Sequence, residues 1–163
     1  YFLKFLYFLF FFLFLSLSVI VLNLGRILAI DYGRKRVGIA VSDPLKIIAN
    51  GLTTVKSCDI LRYLSEYLAK EEVERIVVGL PKTMRNEESE SMQYIKPFVE
   101  KLKKQHPNVP IVMYDERFTS VLAHQAMLDG GLKKKDRQNK ALVDEISATI
   151  ILQSFMESEK MNF

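Results

Sequence analysis

Arg26-Ile-Leu-Ala-Ile-Asp31-Tyr-Gly-Arg-Lys-Arg36-Val-Gly-Ile-Ala-Val-Ser42 reads as two short apolar runs around a turn of one glycine and three cations. Arg26–Asp31 and Val37–Val41 have strand length and β-branched content, and the segment 32–36 is short enough to join them as a hairpin. Asp31 alternates with Ile27 and Ala29, so it takes their face of the strand. An ionised carboxylate on such a face costs several kcal/mol unless a cation or hydrogen bonds compensate it. Turn chemistry is the simpler explanation, since Asp often starts a turn; a metal ligand or phosphate contact is the functional one.

Outward from this hairpin the pattern alternates. Ile47–Val55 predicts a third strand. Ser57 predicts a helix cap ahead of Ile60, Leu61, Leu64 and Leu68, which have helical spacing. Arg75–Gly79 predicts a strand buried on both faces. Ser89–Gln105 predicts a helix with Tyr94, Phe98 and Leu102 in one row, and Pro97 inside it predicts a kink or a late start. Val109–Tyr114 is the last predicted strand. A short helix over Thr119–Leu128 ends at Gly130-Gly131, a basic loop follows over Leu132–Gln138, and Asn139–Glu157 is the final helix. Three antiparallel strands followed by alternating helices and strands predict an α/β fold: a mixed five-stranded sheet flanked by helices on both faces. One domain over 25–157 with a tail at 158–163 accounts for this pattern.

The first 24 residues differ in composition. Phe5–Leu22 carries no charge, with Tyr7, Ser16 and Ser18 as its polar exceptions, and is at the lower length limit of a membrane-spanning helix. Low complexity and the absence of an initial Met point to an over-extended reading frame; a membrane anchor or a signal peptide with Lys4 as its charge are the alternatives. The formal net charge of the 163 residues is +4, of which Lys4 contributes one. That balance favours nucleic acid only weakly. The lone Cys58 makes no internal disulfide, which suits a reducing, cytoplasmic setting, and His106 and His124 are too few and too separated for zinc.

Two further acid sites stand where apolar residues are expected. Asp115 and Glu116 close the last strand, and alternation sends one to each face; Arg117 beside them can pair with either. Asp144 shares a helix face with Ala148, Ile151 and Phe155, while Glu145 is rotated about 100° away. For Asp144 the simpler explanation is an acid at the edge of the stripe, paired with a basic residue. Together the sites favour an oxygen-ligand cluster for Mg²⁺ or Mn²⁺. Two such ions, about 3.5–4 Å apart, would activate water and stabilise a leaving oxygen. Lys133, Lys134, Lys135, Arg137 and Lys140 precede the Asp144 helix, and Arg34, Lys35 and Arg36 follow Asp31. A lysine run is commonly a solvated loop. Beside carboxylates it also fits phosphate contact.

Four motifs in order, Asp31-Tyr-Gly-Arg-Lys-Arg-Val-Gly-Ile-Ala-Val-Ser-Asp43, Val77-Val-Gly-Leu-Pro81, Asp115-Glu-Arg-Phe-Thr119 and Val143-Asp-Glu-Ile-Ser-Ala148, resemble the YqgF/RuvX family. The resemblance implies an RNase H-like fold, kinship with Holliday-junction resolvases, and nuclease activity on the 5′ end of pre-16S ribosomal RNA. It also implies Asp31, one acid of the Asp115-Glu116 pair and Asp144 as metal ligands. Glu116 is preferred over Asp115 for its longer reach. Between the first and last strands such a sheet would place Arg75–Gly79, which carries no acid. Lys134 or Arg117 would stabilise charge on the phosphate. The chain departs from the family where Lys82-Thr-Met-Arg-Asn-Glu87 lacks an expected glycine, and at the Phe/Leu tract. Three functions remain open: a nuclease of structured RNA acting as monomer or homodimer, a resolvase cutting four-way DNA junctions as a symmetric dimer, and a non-catalytic ribosome-assembly factor. No membrane partner is expected if the first 24 residues are an over-extension.

Overall fold

The computed structural model describes residues 25–81, 90–116, 125, 127–131, 133 and 138–161. Strands β1 (Arg26–Tyr32), β2 (Arg36–Ser42) and β3 (Ala49–Lys56) come first, then helix α1 (Ile60–Leu68), strand β4 (Val73–Pro81), helix α2 (Met92–Gln105), strand β5 (Ile111–Glu116) and helix α3 (Lys140–Met161). They form one five-stranded sheet in the order β3-β2-β1-β4-β5. β1, β2 and β3 pair antiparallel, whereas β4 pairs parallel with both β1 and β5. The sheet is therefore mixed, as expected from the sequence, and β4 lies between the first and last strands.

Alternation along each strand divides the core into two layers. Leu28 and Ile30 of β1, with Val37, Ile39, Ile76 and Val78, pack against α1 and α2. Ile27 and Ala29, with Ala40 and Val77, pack against Ala148, Ile151, Leu152 and Phe155 of α3. The central strands are apolar on both faces because both faces are covered.

Several local expectations shift. The third strand starts at Ala49 rather than Ile47, because Asp43 organises the preceding loop by accepting the amides of Leu45, Ile47 and Ile48. These bonds, the one from Ile48 foremost, hold the Asp43 carboxyl below its ordinary range. Ser57 does not cap α1. Its hydroxyl donates to Gly33 O at 2.7 Å and its amide to Lys35 O at 3.2 Å, so it clamps the β1–β2 turn. α2 takes the late start, at Met92, with Pro97 inside it. Its buried row is Met92, Ile95, Phe98, Val99 and Leu102; Tyr94 remains 40% exposed. α3 continues beyond Glu157 to Met161, where Arg75 of β4 donates to Glu159 at 2.7 Å. Of the predicted helix over 119–128, the described residues Gln125, Met127 and Leu128 are helical. Residues 1–24 and most of the basic loop lie outside the described residues. Among those described, no helix is long and apolar enough to cross a membrane.

Leu152 is fully buried in the α3 layer. Leu152→Ala should lower the unfolding free energy by about 2–5 kcal/mol, read from the urea midpoint.

Candidate active site

Asp31 lies one residue from the end of β1 and pairs across the ladder with Gly38 of β2. Gly38 is where α3 meets the sheet: a Cβ built there would collide with the backbone carbonyl of Asp144. With no side chain in the way, the helix backbone rests directly on β2, beside the strand position that carries Asp31. The start of α3 is fixed as well. Asn139 Oδ1 accepts the amide of Ala141 at 3.1 Å, and Thr54 Oγ1 of β3 donates to Ala141 O at 2.7 Å. Both residues face the core layer that the sequence assigned them: Asp31 with Ile27 and Ala29, Asp144 with Ala148, Ile151 and Phe155.

Burial raises the Asp31 carboxyl from 3.8 to about 7, and the neighbouring Asp144 carboxylate adds to the effect. Asp144 has a cation: Arg36 Nε donates to its Oδ2 at 2.7 Å. This is the ion pair offered as the simpler explanation of Asp144, and it coexists with the coupling to Asp31. It also differs from the expected role of Arg36 beside Arg34 and Lys35. Those two are exposed, but Arg36 begins β2 pointing to the α3 face and reaches the carboxylate there.

The last strand separates its two acids by phase. Ile111 and Met113 pack with the α1–α2 layer, whereas Val112 and Tyr114 pack with the α3 layer. Asp115 has the phase of Ile111 and Met113, away from α3. It pairs with Leu80 in the ladder, and its Oδ1 is out of solvent. Position 116 pairs with Pro81 in the ladder; the Glu116 side chain lies outside what the structure describes. Because Ile30 is level with Val78 and Val78 with Met113, Asp31 is level with Gly79 and Tyr114. Gly79 is buried in β4, as the predicted strand Arg75–Gly79 requires. It leaves no side chain between β1 and β5 at that level, a separation of about 10 Å over two strand spacings.

Among the described residues, no three of His, Cys, Asp and Glu lie close enough together to hold a metal. The described acid site is the pair Asp31 and Asp144. Lys133 and Lys140 are exposed, while Arg117, Lys134, Lys135 and Arg137 lie outside the described residues. Sequence reasoning missed Gly38 and the clamping role of Ser57. A glycine within an apolar strand was a signal for the first, since it marks close backbone approach; no local signal marked the second.

The profile of the RuvX family, described as Holliday junction resolvase, matches residues 25–158. The chain belongs to the RuvX family. A protein of Phocaeicola vulgatus is 68% identical over 84% of this chain and 99% of its own length, and one of Porphyromonas gingivalis is 57% identical over 83% and 98%. Both are named "Putative pre-16S rRNA nuclease". The RuvX chain is thus a nuclease, a hydrolase acting on ester bonds. Among solved structures, Thermus thermophilus RuvC in complex with Holliday junction substrate aligns with a TM-score of 0.53 at 19% identity, covering 83% of this chain and 96% of that one. A fowlpox virus resolvase with Holliday junction DNA aligns at 0.50 and 16% identity, covering 82% and 97%. These likenesses establish the RNase H-like fold.

Two outcomes follow from the acid pair. Between about pH 4 and 7 native Asp31 holds a proton that the unfolded chain releases, so its contribution to stability is full below pH 4 and lost as pH rises through 7. In metal-free protein Asp31→Asn should flatten that slope and raise stability at pH 8 by up to a few kcal/mol, measured by urea unfolding at pH 5 and 8. Gly38→Ala should lift α3 from β2, costing about 1–3 kcal/mol. The same substitution should lower the Asp31 pKa seen by NMR as Asp144 retreats.

Proposed function

We propose that this chain is a Mg²⁺- or Mn²⁺-dependent nuclease that hydrolyses phosphodiester bonds of pre-16S ribosomal RNA near its 5′ end, a cytoplasmic step of ribosome biogenesis. The observation that carries the reading is the coupled Asp31–Asp144 pair, seated at a strand end by Gly38. Two adjacent carboxylates, of which Asp144 alone has a bonded cation among the described residues, are a donor set that suits a hard divalent ion. Relatives named for pre-16S rRNA at 57–68% identity support the choice of substrate.

Asp31 and Asp144 would hold the ion, with Glu116 as the third ligand. The strand phase supports Glu116 over Asp115: position 116 alternates with Asp115 and so takes the phase of Val112 and Tyr114, the α3 face. A divalent ion held there would lower the pKa of water for attack and offset charge gathering on the phosphate. The chain's own groups orient the reaction. Arg36 holds Asp144 in place, and ion binding would release its guanidinium toward a phosphate oxygen. Arg34, Lys35, Lys133 and Lys140 would engage the backbone of the nucleic acid, as would Arg117, Lys134, Lys135 and Arg137. The exposed, unbridged Cys58 fits a reducing compartment.

A second reading, resolution of four-way DNA junctions, is favoured by the description of the family. Paired cuts would require a symmetric dimer.

Asp31→Asn should reduce Mg²⁺-dependent cleavage of precursor 16S RNA on the order of a hundredfold or more while the circular dichroism spectrum is retained. Undiminished cleavage by the purified variant would refute the assignment. Running a four-way DNA junction in the same assay separates the two substrates.

A further inference from the structure

Behind the acid pair, on the sheet face covered by α1 and α2, the end of β1 opens onto a cleft of about 310 Å³. Tyr32, Ser57, Gln93, Tyr94, Phe98 and Lys101 contribute to its lining. Tyr32 follows Asp31, so the pleat turns it to the opposite face. Its ring stacks on Phe98 with centroids 4.4 Å apart and planes 24° from parallel. Phe98 is buried, which fixes the backing of this platform. Tyr94, one helical turn earlier, is 40% exposed although its spacing fits the row of Phe98 and Leu102.

The chemistry around these rings is selective. Lys101 is the single charged group of the described lining, and no acid accompanies it. Gln93 offers an amide that both donates and accepts hydrogen bonds. The wall formed by Ser57 is bonded to Gly33 O and Lys35 O, so it belongs to the turn that exposes Arg34 and Lys35 and sends Arg36 to Asp144. Aromatic platform, basic turn and acid pair therefore share one end of β1. A comparable cleft at the other end of β1 differs: there Lys46 and Arg75 are already paired with Glu74 and Glu159.

We propose that the Tyr32–Tyr94–Phe98 cleft is a stacking pocket for an unpaired nucleobase of the bound RNA strand, with Gln93 at the base edge and Lys101 at a phosphate. The pocket rests on the nuclease reading for its ligand class, but it lies on the opposite face of the sheet from the acid pair. Aromatic stacking accepts any base, so the pocket recognises single-strandedness rather than sequence. A strand whose phosphates follow the basic turn would place one splayed base in the cleft, next to the strand residue that presents Asp31.

The test uses the full chain without divalent metal, and a set of labelled single-stranded RNA 12-mers, intact or lacking one base at successive positions. Wild-type protein should bind the intact strand about 5- to 100-fold more tightly than the strand abasic at one particular position. Tyr94→Ala should erase that preference, Tyr94→Phe should retain it, and Lys101→Gln should weaken both strands alike. Independently of any variant, 2-aminopurine at that position should lose fluorescence on binding wild-type protein. Equal affinity for intact and abasic strands, or a preference that survives Tyr94→Ala, overturns the pocket. Metal-dependent cleavage with no base preference would remove the pocket and leave the nuclease standing. A base preference without cleavage would do the reverse, and failure to bind any strand would overturn the pocket while leaving the cleavage assay to decide the nuclease.

Discussion

The close seating of α3 on β2 at Gly38 is the contact on which the rest of this protein depends. A helix normally stands about a side chain away from a sheet. Here a missing Cβ lets the carbonyl of Asp144 approach the strand directly. The consequence is chemical as much as structural, because the ladder partner of Gly38 is Asp31. One backbone approach brings two carboxylates from distant parts of the chain within mutual electrostatic reach. The apolar layer of Ile27, Ala29, Ala148, Ile151 and Leu152 holds them there. Burial and the neighbouring charge then make Asp31 hard to ionise without a cation.

That tension explains the role of Arg36. The only cation that the described structure shows bonded to the pair reaches Asp144 and not Asp31. Among the described residues one guanidinium serves two carboxylates, and burial resists ionisation of the second. Burial of Asp31 costs stability once its carboxyl ionises. The surrounding core is conventional and apolar, which lets the site carry that cost.

The β1–β2 turn links the two faces of the sheet. Ser57 ties its carbonyls to the start of the segment leading to α1. Gly33 amide donates back to Arg36 O at 3.0 Å, closing the turn. Cations project from it, Asp31 leads into it on one face, and Tyr32 stacks on Phe98 on the other. One short connection thus organises charge, acid and aromatic surface at the same sheet end.

The sequence by itself determined the hairpin, the five strands, the two-sided core and the faces of Asp31 and Asp144, because each of these rests on local periodicity. Four ordered motifs carried the resemblance to the family. Only the tertiary structure decided that Arg36 belongs to Asp144, that Ser57 clamps a turn instead of capping a helix, and that Tyr94 stays outside the core. It also decided which acid of the last strand takes which face, with Asp115 away from α3. Partners far apart in sequence, such as Arg36 and Asp144, leave no trace in spacing. Which donor meets which acceptor depends on how closely two elements pack, and at Gly38 that distance is set by an atom that is absent.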